Sequence, residues 1–150
     1  MQLIVFIGLQ GSGKSTFFAE RFVNTHVRIN LDMLRTRHRE TLLFEACLAA
    51  KQPMVIDNTN PTIEQRVRYI APARTKGFGV EGYYFRSDLE GCLRRNAGRS
   101  GREVVPNAGL LGTSRQLVRP TLAEGFDRLH YVRIDDRNGF VVEEWSDEIR

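Results

Sequence analysis

The feature that most constrains how this chain folds is a glycine-rich stretch that joins two different kinds of element. Residues 8–16 read GLQGSGKST and match the phosphate-loop pattern G-x-x-x-x-G-K-[ST]. The apolar residues 3–7 before it predict a buried parallel strand, and residues 16–23 after it predict a helix. The pattern therefore predicts a loop whose backbone N–H groups and following helix bind phosphate oxygens. The residues expected to do so are Gly8, Gly11, Ser12, Gly13, Lys14, Ser15 and Thr16.

Two side chains of this loop are expected to carry chemistry. Lys14 can reach the β- and γ-phosphates of a bound ATP, and the Ser15 hydroxyl can bind Mg²⁺. ATP and Mg²⁺ are therefore the expected cofactors. A flexible Gly/Ser loop without a ligand is the alternative, but it does not account for the flanking strand and helix.

Strands and helices alternate along the rest of the chain. Residues 31–50 contain no Gly or Pro and predict one continuous helix, and residues 140–145 could add an edge strand. The order predicts an α/β fold with a five-stranded, mostly parallel sheet and helices on both faces. We expect a single domain over residues 1–150, with an acidic tail over 135–150. Beyond the first strand, the predicted strands are 26–30, 53–57, 80–85 and 130–134.

The composition points to an anionic substrate in a reducing compartment. The net charge is +4, and nineteen of the 22 basic residues are arginine, whose planar guanidinium suits phosphate recognition. Charge alone leaves nucleic acid and small phosphate compounds open. The two cysteines form no metal-binding pattern, and no apolar run approaches a membrane span. We therefore expect a cytoplasmic protein that has free thiols and no membrane partner.

An acidic residue follows the second predicted strand. If residues 31–50 form one helix, Asp32, Arg35 and Arg39 lie on one stripe that leads into an apolar face. The first turns would then extend beyond the sheet and face the cleft. Asp32 could accept the proton of an attacking hydroxyl, while Arg35 and Arg39 could bind an acceptor phosphate. The apolar continuation of the stripe is Leu43, Ala46 and Ala50.

A second acidic residue, Asp57, ends the third predicted strand. This is the position of a Walker B carboxylate, which orients Mg²⁺ or its waters. Asn58 and Thr59 follow and could contribute to substrate binding. The stretch DNTNP is also rich in turn-forming residues, and turn chemistry explains Asn58 and Thr59 almost as well.

A basic helix end follows the fourth predicted strand. Arg95, Arg99 and Arg102 are spaced to share a helix face, and Gly98 and Gly101 loosen the segment. This combination favours a small arginine-rich lid that closes over the triphosphate. Arg99 is the first candidate for stabilising charge in the transition state. A solvated basic helix end is the alternative.

Together these motifs resemble the 5′-polynucleotide kinase family, the kinase half of polynucleotide kinase–phosphatases. The matching stretches are GLQGSGKSTF, INLDMLR, VIDNTNPT, CLRRNAGR and RPTLAEGFD, which cover residues 3 to about 134. The resemblance implies a P-loop kinase fold and transfer of the ATP γ-phosphate to the 5′-hydroxyl of a DNA or RNA end.

The resemblance also implies a role for individual residues. Asp32 matches the general base of the family, and Arg35 matches the arginine that contacts the phosphate 3′ of the accepting nucleotide. Arg99 matches the lid arginine on the phosphates. Arg115 lies in the segment expected near the nucleobase of the donor.

The chain departs from the pattern of the family, and other functions stay open. No phosphatase signature such as DxDxT is present, so we expect no 3′-end processing, although a repair or ligation enzyme could be a partner. A P-loop kinase for a small hydroxyl compound, such as a nucleoside, sugar or antibiotic, would use the same Asp32, Lys14 and Arg99. A nucleotide-gated binding module is the third alternative. The sequence leaves the oligomeric state open.

Overall fold

The computed structural model describes residues 1–99 and 105–146, which build a six-stranded sheet. The strand order is β2-β3-β1-β4-β5-β6, and every neighbouring pair is parallel except β5 and β6, which are antiparallel. The predicted mostly parallel α/β sheet is thus confirmed, with the sixth strand at its edge. The strands are β1 (Gln2–Ile7), β2 (Val27–Ile29), β3 (Met54–Ile56), β4 (Gly79–Phe85), β5 (Arg128–Ile134) and β6 (Phe140–Glu144).

Six helices connect these strands in the described part of the chain. Short turns and caps separate them, and a brief 3₁₀ helix, Leu122–Glu124, precedes β5. Among the described residues, none of the helices combines the length and apolar character that a membrane span requires. The helices are α1 (Lys14–Arg21), α2 (Leu31–Leu34), α3 (Arg37–Ala50), α4 (Ile63–Thr75), α5 (Leu89–Ala97) and α6 (Asn107–Gln116).

Strand β1 is covered by helices on both faces of the sheet. Its side chains alternate between the two faces, and apolar residues point to each of them. Val5 belongs to a core cluster with Phe44 of α3 and Tyr69 of α4. Phe6 belongs to a second cluster with Phe17 of α1. Five of the six residues of β1 are apolar, and only the first, Gln2, is polar. This composition is expected for a parallel strand that is covered on both faces.

The predicted continuous helix over residues 31–50 is wrong. The chain breaks at Arg35, whose φ is 78°, and the Thr36 side chain caps a new helix by accepting a hydrogen bond from Arg39 N at 3.1 Å. The stripe from Asp32 through Arg39 to Leu43 therefore does not exist. Helix α3 instead buries a different set, namely Glu40, Phe44, Cys47 and Leu48, and leaves Ala46 and Ala50 exposed.

Candidate phosphoryl-transfer site

The phosphate loop connects β1 to α1, and two of its glycines have backbone conformations that disfavour any side chain. The φ angles are 80° at Gly11 and 99° at Gly13. A Cβ at Gly11 would lie 2.8 Å from Cys92 O, and one at Gly13 would lie 2.9 Å from the Phe140 ring. Both glycines are therefore required by conformation and by space. The loop is packed between α5 and β6.

Lys14 lies inside the curve of this loop. Its Nζ donates to Gly8 O at 2.9 Å and Leu9 O at 2.7 Å, and it lies 3.4 Å from Ser12 Oγ. Burial lowers the pKa of Lys14 to about 8, although the Asp57 and Asp32 carboxylates act to raise it. The Arg99 charge lowers this pKa further. Three predicted site residues, namely Asp57, Asp32 and Arg99, therefore influence the pKa of Lys14 through their charges.

Ser15 and Asp57 lie side by side, as a shared Mg²⁺ site requires. Ser15 Oγ donates to Asp57 Oδ2 at 3.1 Å, and the Asp57 side chain is 1% exposed. Asp57 Oδ1 is buried and has no hydrogen-bond partner among the described residues. Hydroxyl and carboxylate oxygens are ligands that Mg²⁺ prefers, so this pair fits the ion.

Arg28 of β2 binds the same pair of oxygens. Its Nε donates to Asp57 Oδ2 at 2.8 Å, and its Nη2 donates to Ser15 Oγ at 2.9 Å. The sequence analysis missed Arg28. One feature of the sequence could have indicated it: Arg28 is a charged residue in the middle of the short strand β2. This strand pairs with β3, which Asp57 directly follows.

Helix α2 carries Asp32 and ends at Arg35, and it is bound to the loop after β3. The Asn30 side chain caps the helix by accepting from Met33 N at 2.9 Å, and it donates to Asp57 O. The first N–H of the helix, Leu31 N, donates to Asn58 Oδ1 at 2.9 Å. The structure thus attaches Asp32 and Arg35 to the strand end that carries Asp57, and both side chains are exposed.

The other acceptor-side candidates are engaged within the protein. Arg39 Nη1 donates to Leu34 O at 3.2 Å, at the end of α2. The Asn58 amide donates to Glu40 Oε2 at 3.0 Å, and Thr59 O accepts from Gly8 N at 3.0 Å. Thr59 therefore contacts the phosphate loop through its backbone.

The arginine-rich segment lies against the phosphate loop at one end. Arg95 Nε donates to Gly11 O. The buried Asn96 side chain donates to Val105 O and accepts from Val105 N at 2.9 Å, which fixes the chain after the segment. Arg99 follows α5 and is half-buried. The predicted lid residue Arg102 lies outside the described residues.

A cavity of about 240 Å³ opens beside the loop, between these arginines and the β5–β6 hairpin. The sequence analysis missed its hairpin side because it treated that region as an acidic tail with a possible edge strand and not as part of the site. Arg115, expected near the nucleobase, is exposed in the last turn of α6 and does not line this cavity. The lining residues are Gly11, Gly13, Thr16, Arg95, Arg99, Ile134, Asn138 and Phe140.

The parallel sheet, the glycine loop after β1 and the helix behind that loop define the class of protein, which is an α/β P-loop protein with a nucleotide-binding site. The chain belongs to the AAA domain family (AAA_33), which matches residues 3–120.

Comparison with known proteins gives relatives in sequence and several structures of the same fold. The chain is 28% identical over 135 residues to the bifunctional polynucleotide phosphatase/kinase of Schizosaccharomyces pombe, a match that covers 87% of this chain and 33% of that protein. The chain therefore spans about a third of the length of this relative. Chaetomium thermophilum Kti12 in complex with ADP-AlF3 has a similar structure, with a TM-score of 0.67 at 17% identity, and the match covers 91% of this chain and 92% of that one. A gluconokinase from Sinorhizobium meliloti has a TM-score of 0.60 at 21% identity, covering 88% and 82%.

Proposed function

We propose that this chain transfers the γ-phosphate of ATP, with Mg²⁺, to the 5′-hydroxyl of a DNA or RNA end. The observation that carries the proposal is the attachment of α2, with exposed Asp32 inside it and exposed Arg35 at its end, to the loop that begins with Asp57. An acid and an arginine are thereby held next to a phosphate loop, as an acceptor that carries both a hydroxyl and a phosphate requires. The name of the Schizosaccharomyces pombe relative supports the same substrate class.

The donor side binds and neutralises the triphosphate. Lys14 exchanges its contacts with the loop carbonyls for phosphate oxygens, and Ser15 and Asp57 hold Mg²⁺. When bound, the ion would supply positive charge that offsets the charge of the phosphates. Arg99 and Arg95 approach from the lid side, where positive charge stabilises the transferring group. The cavity beside the β5–β6 hairpin has room for part of the nucleoside.

The acceptor side positions the nucleophile. Asp32 takes the proton of the 5′-hydroxyl as its oxygen forms a bond to the γ-phosphorus, and the bond from that phosphorus to the leaving ADP oxygen breaks. Arg35 binds the phosphate 3′ of the accepting nucleotide through its guanidinium. Arg39 holds the end of α2 from behind, so it supports Arg35.

The test is transfer of label from γ-labelled ATP to a short oligonucleotide with a 5′-hydroxyl, as DNA and as RNA, in parallel with Asp32→Asn. We expect labelled 5′ ends that disappear in the variant, while binding of ADP is unchanged. Hydrolysis of ATP without label on either oligonucleotide would contradict the proposal and direct the search to a small hydroxyl compound. Labelled ends that persist in Asp32→Asn would contradict the role of Asp32 alone.

A further inference from the structure

One buried carboxylate near the site belongs to none of the roles described so far. Glu40 of α3 is 2% exposed and accepts three hydrogen bonds. Its Oε1 accepts from Tyr69 OH at 2.8 Å and from Arg37 Nη1 at 2.9 Å, and its Oε2 accepts from Asn58 Nδ2 at 3.0 Å. A buried carboxylate is costly unless it is paired and hydrogen-bonded, and this one satisfies both conditions.

The carboxylate determines which way the Asn58 amide points. A carboxylate paired with arginine offers only acceptors, so the NH₂ group of Asn58 must face Glu40. The carbonyl oxygen of the same amide then faces Leu31 N, at 2.9 Å. Burial first, and then the Glu40 charge, raises the pKa of Tyr69 to about 12, so that Tyr69 also stays a donor to Glu40.

Helix α2 depends on contacts of this kind. It has four residues, too few for its own hydrogen bonds to hold it. It ends at Arg35, whose positive φ is a strained conformation that surrounding contacts must maintain. The link from Glu40 through Asn58 to Leu31 N connects α2 to the main body of the fold.

We propose that Glu40 is a positioning residue for phosphoryl transfer: through Asn58 it holds α2 so that Asp32 and Arg35 face the phosphate loop. This inference rests on the proposed roles of Asp32 and Arg35. Glu40 touches neither substrate, and its effect is on the orientation of the residues that do.

The experiment compares Glu40→Gln with Tyr69→Phe. The glutamine has one carbonyl oxygen and cannot serve all three donors. Tyr69→Phe removes the hydroxyl that donates to Glu40 and that also lies 3.4 Å from Asn58 Nδ2, but it keeps the 3.0 Å hydrogen bond from Asn58 to Glu40. The first measurement is amide hydrogen exchange at Leu31, by NMR on the whole chain. Relative to the wild type, we expect the Leu31 amide to exchange faster in Glu40→Gln and at the same rate in Tyr69→Phe. Each protein is measured at the same number of degrees below its own melting temperature.

The second measurement separates kcat from KM. A misplacement of about 1 Å costs about 100-fold in rate, so we expect kcat to fall about 10- to 100-fold in Glu40→Gln, with KM for ATP within twofold. Tyr69→Phe should keep kcat within threefold. In an Asn58→Ala background, Glu40→Gln should cause no further loss, because the link is already broken. If Glu40→Gln does not fold, Asn58→Ala alone should show the same two changes.

Two results would overturn the inference. One is unchanged Leu31 exchange in Glu40→Gln, and the other is an equal loss of kcat in Glu40→Gln and Tyr69→Phe. Failure of the proposed function is distinguishable from both. If the wild-type chain labels no oligonucleotide, the substrate assignment fails, but the exchange at Leu31 still decides whether Glu40 holds α2.

Discussion

The phosphate loop and helix α2 both follow the carboxyl ends of parallel strands, on the same side of the sheet. Different contacts hold the two segments in place. The loop is shaped by its own backbone, with Gly11 and Gly13 at positive φ, and it is packed between α5 and β6. Helix α2 has four residues, none of them buried, and is held by the side chains of Asn30 and Asn58. The proposed donor half of the site is therefore built by local backbone geometry, and the proposed acceptor half by long-range hydrogen bonds.

This difference predicts how each half responds to substitution. Changes in the loop should impair donor binding or stability directly. Changes around α2 should leave donor binding intact and alter the acceptor step.

The largest effect is expected for Lys14→Met. Removing a preorganised hydrogen-bond donor that stabilises the charge of the phosphates lowers kcat about 100- to 1,000-fold. The affinity for ADP should fall as well, because Lys14 lies inside the loop. Steady-state kinetics and ADP titration measure both quantities. Lys76→Met, on the exposed end of α4, is the control and should behave like the wild type. Unchanged ADP affinity in Lys14→Met would contradict a donor-side role.

Gly13→Ala tests whether the loop is shaped by its backbone. The new Cβ would meet the Phe140 ring at 2.9 Å, at a residue with φ of 99°. A strained conformation of this kind costs about 1–3 kcal/mol in the free energy of unfolding. Gly112→Ala is the control, since its Cβ would meet nothing within 4 Å inside α6, and it should gain up to about 1 kcal/mol. Denaturant unfolding compares the two. A neutral Gly13→Ala would show that the loop tolerates a side chain.

Arg35→Ala tests the acceptor half alone. Loss of a charge-assisted contact of about 1.5–3 kcal/mol should raise KM for the oligonucleotide by about 10-fold or more, with ADP affinity unchanged. Arg68→Ala, an exposed arginine on α4, controls for the loss of general positive charge. Equal changes in the two variants would mean that the basic surface attracts the acceptor without a specific contact at Arg35.

The pH dependence of donor binding should report Lys14. Burial lowers its pKa to about 8, whereas an ordinary lysine stays charged to beyond pH 10. The ammonium form attracts phosphate and the neutral amine does not, so ADP affinity should fall several-fold as the pH rises through about 8. Calorimetric titration from pH 6.5 to 9.5 measures this, and Lys14→Met should lose the transition. A transition that survives in Lys14→Met would assign it to another group.

The smallest effect is expected at Arg28, which occupies oxygens that suit Mg²⁺. Its side chain is 28% exposed, and partly exposed ion pairs contribute about 0.5–1 kcal/mol. Arg28→Gln should therefore tighten Mg²⁺ binding about two- to fivefold, as measured by the Mg²⁺ dependence of ADP affinity. Weaker Mg²⁺ binding in the variant would mean that Arg28 orients Asp57 for the ion and does not compete with it.

The same contrast explains what the sequence could predict. The phosphate loop and the succession of strands along the chain follow from contiguous patterns. The proximity of Ser15 and Asp57 follows because parallel strands end at the same side of the sheet. The break at Arg35 was missed because Thr36 offers a helix cap that competes with an otherwise favourable helical run. Glu40 and Arg28 were missed because their partners, Asn58 and Asp57, are distant in sequence and lie on different elements. The roles assigned to individual side chains remain predictions.

The antiparallel edge strand has a consequence for how the protein responds to ligands. Phe140 begins β6 and lies against Gly13, and it also lines the cavity beside the phosphate loop. A molecule that binds in this cavity binds only the state in which β6 is paired with β5. Its binding therefore stabilises that pairing by mass action. The outermost strand of the sheet is thermodynamically linked to occupancy of the site. Resistance of this strand to proteolysis can therefore serve as a label-free measure of nucleotide binding.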